Sequence, residues 1–345
     1  MNASERFRRY LSGEPVDRCP AIEWAPWWHL TVNRWHEEGL PQEMNNQEEI
    51  QEFFGLDKIL QTCIGCGTAQ TPPPKGNGIG LIENEEDWER VRKTLFPPVE
   101  GCISDQHFEW LEKTRQRGDT LQFFTVEGFF WLPRSMFGIE PHLYSFYDYP
   151  DLYKAICEEY SDWLVKLFHF AFSRFRFDFM TFAEDMSYNL GPMLSKEHFD
   201  EFLAPYYKKL IPIAHEYGIP VIIDSDGDIT KAVDWYASVG ADGMLPLEKK
   251  AGTDVSTYLD KQPQMAFIGH FDKMCMKHGK EAMRAEFERI LPSMKRGKVI
   301  VSVDHQTPPD VSVENYREYV KLLREYCEKA THEDGGIIPC PVYEK

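Results

Sequence analysis

The 345-residue chain has no apolar run approaching the roughly 18–20 residues that cross a bilayer. Its opening, Met1-Asn2-Ala3-Ser4-Glu5-Arg6, has no apolar signal core. Positive charge is scarce: 38 Lys and Arg against 56 Asp and Glu give a net charge of −18. Such a surface repels phosphate backbones and anionic lipid, so neither nucleic acid nor a membrane is an expected partner. A cytoplasmic location is expected. Eight cysteines in so long a chain do not make a disulfide framework. No repeat recurs at a fixed period. No Gly-x-Gly-x-x-Gly follows a strand, and no Gly-x-Ser-x-Gly elbow or P-loop occurs, which sets aside dinucleotide, serine-hydrolase and P-loop readings. Disorder is excluded by the 9 Trp, 16 Tyr and 23 Phe.

What is present is an alternation of short apolar runs and helical stretches. The runs 19–24, 58–64, 121–127, 179–185, 220–226, 243–248, 265–270 and 299–305 read as strands buried on both faces. Between them, Ser195 caps a predicted helix that stops at Gly218, and Ser312 caps another through Tyr316, Val320 and Leu323. Residues 281–291 form a third, and 141–175 hold one long helix or two. Residues 64–102, with Pro72-Pro73-Pro74 and several glycines, read as a loop excursion or lid. The pattern predicts a single domain over 1–345, a distorted (β/α)8 TIM barrel of the α/β class with an N-terminal helical extension. An open doubly wound sheet is the structural alternative.

All but the second predicted strand end in an ionisable residue. They are Glu23, Glu127, Glu184 with Asp185, Asp224 with Asp226, Glu248, His270 with Asp272, and Asp304 with His305. The second contributes Cys63 and Cys66. In a barrel these positions meet at the C-terminal mouth, where such enzymes keep their sites. A ring of carboxylates there is costly unless it serves a ligand or a network. Singly, each of these residues reads equally well as a solvent-facing or ion-paired group. Trp24, Trp27 and Trp28 follow the first strand, Phe129, Phe130 and Trp131 the third, and Tyr188 the fourth. They suit either a flat organic ligand or core packing.

Asp224-Ser225-Asp226-Gly227-Asp228 lacks the distal Glu of a calcium loop. Asp224, Asp226 and His305 could hold zinc or a harder divalent ion, or form a metal-free network that binds substrate. Cys63-x-x-Cys66, without a second pair, reads as two ordinary thiols before a redox or metal site.

Several spaced blocks resemble the uroporphyrinogen decarboxylase-like superfamily, which includes corrinoid-linked methyltransferases. They begin with residues 8–20 (RRYLSGEPVDRCP) and continue with 185–192 (DMSYNLGP), 205–209 (PYYKK), 224–228 (DSDGD), 240–243 (GADG), 246–248 (PLE) and 304–311 (DHQTPPDV). The resemblance implies a distorted (β/α)8 barrel and two candidate chemistries. The decarboxylase branch grips a tetrapyrrole with eight carboxylates through arginines after the first strand. Here that stretch reads Glu23-Trp24-Ala25-Pro26-Trp27-Trp28, and an acidic mouth repels a polyanion. That reading needs basic residues such as Arg134 to fold into the mouth.

The methyltransferase branch holds zinc with His-x-Cys after the fifth strand and Cys after the last. Those positions are Asp224, Asp226 and His305 here, which argues against thiol substrates. An Asp-Gly after the fifth strand and an Asp-His followed by Pro-Pro after the last resemble members that demethylate small aryl methyl ethers. The resemblance implies methyl transfer from a small aromatic or uncharged donor to a corrinoid carried by a separate protein. In that scheme His305, Asp226 and Glu184 are the catalytic set, with His305 as the acid oriented by Asp304 or Asp226. Trp24, Trp27, Glu127, Tyr188, Glu248 and His270 bind substrate. A homodimer is compatible with this reading. A non-catalytic barrel that uses its acidic mouth to hold a cationic or metal-bound ligand is the alternative from a different class.

Overall fold

A computed structural model describes residues 1–331; residues 332–345, the end of the expected single domain, lie outside the described residues. Three helices, α1 (Ala3–Leu11), α2 (His29–Glu37) and α3 (Gln47–Phe54), precede β1 (Lys58–Cys63). Then come α4 (Glu85–Val91), α5 (Asp105–Arg117), β2 (Thr120–Glu127), α6 (Trp131–Phe137), α7 (Ile139–Asp148), α8 (Pro150–Arg174) and β3 (Phe179–Ala183). A two-residue-per-arm hairpin, β4 (Ser187–Tyr188) and β5 (Gly191–Pro192), leads to α9 (Lys196–His198) and α10 (Ala204–Glu216). The chain closes with β6 (Val221–Asp224), α11 (Ala232–Ala237), β7 (Gly243–Leu247), α12 (Val255–Lys261), β8 (Ala266–Phe271), α13 (Lys280–Lys295), β9 (Val299–Val303) and α14 (Val313–Lys329).

Seven strands form one parallel sheet in the order β1-β2-β3-β6-β7-β8-β9, curled as a distorted barrel. β7, β8 and β9 are buried along their whole length, as expected of parallel strands covered by helices on one face and packed lumen on the other. The eighth stave differs from its expectation. Residues 19–24 form no regular strand, although they lie between β9 and β1. Pro20 has no N–H for a ladder. Side chains supply part of what a ladder would: Ala21 donates its amide to Asp57 Oδ2 (2.9 Å), while its carbonyl accepts the Asp57 backbone amide (2.9 Å). On the other side the Trp24 amide meets Ser302 Oγ at 3.3 Å and its indole N–H meets the Val303 carbonyl at 3.2 Å.

The helix expected from Ser195 to Gly218 is interrupted. Ser195 caps it by accepting the His198 amide. Pro205 cannot donate within the ladder, and the turn Phe199–Leu203 widens to a π-turn before α10 resumes. Residues 141–175 form two helices because Pro150, at the start of α8, holds Tyr149 out of helical conformation. The excursion 64–102 is strapped down. Leu81 and Ile82 both donate to the Met136 carbonyl (2.6 and 2.9 Å), and the Trp163 indole donates to the Pro97 carbonyl (2.7 Å). Among the described residues no helix is long and apolar enough to cross a membrane.

Asp57 is the anchor of the irregular stave. It receives both Arg18 terminal nitrogens (2.7 and 2.6 Å) as well as the Ala21 amide, and the buried Arg6 lies 3.4 Å away. Asp57→Ala leaves the buried Arg18 guanidinium without its carboxylate, while Arg6 keeps Asp17 (2.7 and 2.9 Å), and is expected to cost about 3–5 kcal/mol. Urea unfolding measures this, and a loss below about 1 kcal/mol would contradict the anchor.

The acidic mouth of the barrel

The loops after the strands place the predicted residues at one end of the barrel, but on unequal terms. Glu184 follows β3 and is fully buried. One oxygen accepts the amides of Phe130 (2.9 Å) and Trp131 (3.2 Å), and the other accepts the hydroxyls of Tyr207 and Tyr236, the latter at 3.4 Å. Burial raises its pKa to about 7, opposed by these donors. The approach is possible only because residue 128 is glycine: a Cβ there would stand 1.9 Å from Glu184 Oε2. With both oxygens accepting from protein donors, Glu184 positions the start of α6.

Two other carboxylates are similarly spent. Glu23 is buried, accepts from the Ser302 hydroxyl and from Tyr316 (3.2 Å), and is pushed up to about 8 by burial. Asp304, 1% exposed, accepts the Lys249 amide (3.1 Å) and the Lys273 amide (3.3 Å); burial raises it to about 6.

The open part of the mouth is made by Asp185, Asp224, Asp226, Glu248, His305 and Lys273. Asp185 takes a left-handed conformation (φ 40°) and accepts the Asp226 amide at 3.3 Å. Burial and the Asp226 charge raise it to about 6, while Arg134 and His305 oppose them. Arg134 rises from α6 with its guanidinium 4.7 Å from the centre of the Trp131 ring. Burial, with Asp185 and Asp226 beside it, pushes Asp224 well above the carboxylate range. His305 Nε2 lies 3.5 Å from Asp226 Oδ2, and this partner raises the imidazole pKa against the cost of burial. Glu248 accepts the Gly227 amide at 2.9 Å.

The expected aromatic wall is half present. Trp24 sets its ring edge-on to His305 at 6.3 Å between centroids. Tyr188 stands half-exposed on the hairpin, with its carbonyl on the Asp228 amide (2.9 Å). Gly227 (φ 83°) lets the two loops touch, since a Cβ there would lie 2.7 Å from the Tyr188 backbone. Trp27 is instead buried in the core, 5.8 Å from both Trp35 and Tyr316. Phe129 and Phe130 are fully buried.

His270 is likewise outside the mouth. Its ring is held by Arg289 of α13 (3.0 Å) and faces Thr253 (3.4 Å), and burial pushes it down to about 3. The backbone turns there at φ 71°, directly after Gly269 at φ 114°, so the side chain leaves the line of the strand. Glu127 is raised by burial, with Trp131 opposing, and it raises Cys63 and Cys66 further beyond their own burial. Neither thiol is poised as a thiolate. Among the described residues no three His, Cys, Asp or Glu side chains converge to hold an ion.

The uroporphyrinogen decarboxylase (URO-D) family pattern matches residues 105–326, from α5 to α14. The chain belongs to this family. A methyltransferase from Methanosarcina mazei shares the fold at a TM-score of 0.62 and 16% identity, over 94% of this chain and 99% of that one. A putative vitamin-B12-independent methionine synthase from Listeria monocytogenes aligns at a TM-score of 0.43 and 12% identity, over 92% of this chain and 97% of that one. No curated protein sequence matches. Sequence reasoning named Asp185 and Arg134 without giving either a firm role, and passed over Lys273. For Asp185 the signal was a second acid at a strand end; for Lys273 there was none, since it lies beyond its strand.

Gly128→Ala should drive Glu184 from its amide contacts and cost about 2–4 kcal/mol in urea unfolding; an unchanged midpoint would refute the cradle. The Glu23 carboxyl, raised from 4.5 to about 8, favours the folded chain below pH 4.5, and this contribution is lost as pH rises through 8. Glu23→Gln should therefore flatten the fall in thermal midpoint between pH 5 and 8. Equal falls in both proteins would count against this titration.

Proposed function

We propose that this chain moves a methyl group from a small methylated donor, an aryl methyl ether by preference, to a corrinoid carried by a separate protein. The observation that carries the reading is the His305–Asp226 pair beside the Trp24 ring, in a mouth with a surplus of carboxylates. A corrinoid supplies the nucleophile that accepts the methyl group. The chain's own residues bind the donor and serve the leaving oxygen. Trp24 and Tyr188 offer ring faces and edges to a flat donor. His305 gives the departing oxygen its proton, and Asp226 keeps the imidazole charged until that moment. Glu184 acts from behind by holding α6, and Glu248 orients the loop that carries Asp226.

Uroporphyrinogen decarboxylation is the second reading, favoured by Arg134 coming within electrostatic reach of Asp185. It would show as porphyrinogen turnover with no corrinoid protein added.

Formation of methyl-cobalt absorbance from an aryl methyl ether and a corrinoid protein tests the first reading. His305→Ala should lower the rate at least a hundredfold, within the range general acids contribute, and full turnover in that variant would sink the assignment. Asp226 raises the His305 pKa, so Asp226→Asn lowers it. The alkaline loss of activity should then move to lower pH, and an unmoved limb would show that Asp226 does not set the acid.

A further inference from the structure

Lys273 opens the turn after β8 (Lys273–His278) at the rim of the mouth. Its ammonium lies 3.7 Å from Asp304 Oδ1 and 3.9 Å from Glu248 Oε1, with the side chain 20% exposed. Neither distance is a hydrogen bond. Elsewhere in the chain Lys58, Lys154 and Lys209 each close to 2.6 Å on a carboxylate. An ammonium mostly removed from water normally spends its N–H groups on acceptors.

The two carboxylates near Lys273 are engaged elsewhere. Asp304 receives the amides of Lys249 and Lys273, and Glu248 receives that of Gly227. Asp304 thereby pins the loops after β7 and β8 together, through the backbone of residue 273 and not its side chain. It also fixes the lysine stem relative to His305, the next residue in sequence. Glu248 holds the loop of Asp226, the partner of His305. Ammonium and imidazole are thus set by the same pair of carboxylate clasps; the imidazole has Asp226 at 3.5 Å, and the ammonium has no acceptor within hydrogen-bond distance among the contacts above.

We propose that Lys273 is a specificity-determining substrate contact, whose ammonium holds the donor oxygen that becomes anionic as the methyl group leaves. This rests on the methyl-transfer reading. The C–O bond breaks with its electron pair remaining on oxygen. The methyl carbon bonds to the corrinoid nucleophile, and the oxygen, a phenolate, takes the proton of His305. Lys273 favours the phenolate over the neutral ether, which is binding directed at the charge that develops. The donor class that follows is an ether whose leaving group is an oxyanion, and not an amine, which would leave neutral.

The test is binding of two probes to the intact chain without corrinoid: 4-nitrophenolate, followed by its absorbance, and neutral 4-nitroanisole. The native protein should hold the phenolate at least about tenfold more tightly, the weight of a charge-assisted hydrogen bond. Lys273→Met should lower the preference several-fold, leaving only what the His305 imidazole supplies, and Lys273→Arg should keep more of it. The Asp304 clasp uses the backbone of residue 273, so the variants should fold, and urea midpoints check this. Equal affinity for the two probes in the native chain, no phenolate binding at all, or an intact preference in Lys273→Met each overturn the assignment. A phenolate preference that depends on Lys273, together with no methyl-cobalt formed from any aryl ether, would uphold the contact and sink the transfer reading.

Discussion

A carboxylate without water, Glu184, organises the end of the barrel. It joins three elements of the fold. The first turn of α6 donates its amides, α10 brings Tyr207, and α11 brings Tyr236. Because buried donors left unpaired are costly, the arrangement is all or nothing. It requires a residue without a side chain at 128 and large hydroxyl-bearing rings on two helices. Trp131 and Arg134 take their places at the mouth because the helix carrying them is held there.

The acids of the mouth divide by exposure. Glu23, Glu184 and Asp304 are buried and fully engaged, and each joins segments distant in sequence. Asp185, Asp226 and Glu248 keep some contact with solvent and lie near the cations of the mouth. The large negative balance of the chain therefore does not translate into a uniformly negative site. Within the mouth, Glu23, Glu184 and Asp304 are spent as internal fastening, and the remaining acids lie near Arg134, Lys273 and His305.

Most of the barrel was legible in the sequence because buried parallel strands are short apolar runs, and seven of them lie where those runs lie. The first was misread as a ladder strand, since apolar character reports burial and not hydrogen bonding, and Pro20 was given too little weight. For the site, strand-end position identified the right level of the barrel but not which way a side chain points. His270 and Trp27 fail for that reason. A left-handed backbone turns one of them toward α13, and a run of three tryptophans cannot by itself say which ring faces inward. Glu184 was found as a strand-end acid, but its structural role in holding α6 was not read. Its four donors come from residues 130, 131, 207 and 236, which no local pattern connects.

The seam between the irregular stave and β9 has a kinetic meaning. Trp24 and Ser302 are 278 residues apart, so their contact closes a loop nearly as long as the domain. Loop-closure entropy sets that contact after the neighbouring strands have paired, since every other junction in the sheet spans a shorter stretch of chain. A barrel fastened there by the Trp24 amide and indole, the Ser302 hydroxyl and the Glu23 carboxylate, with no backbone ladder, closes its last-formed joint through side chains.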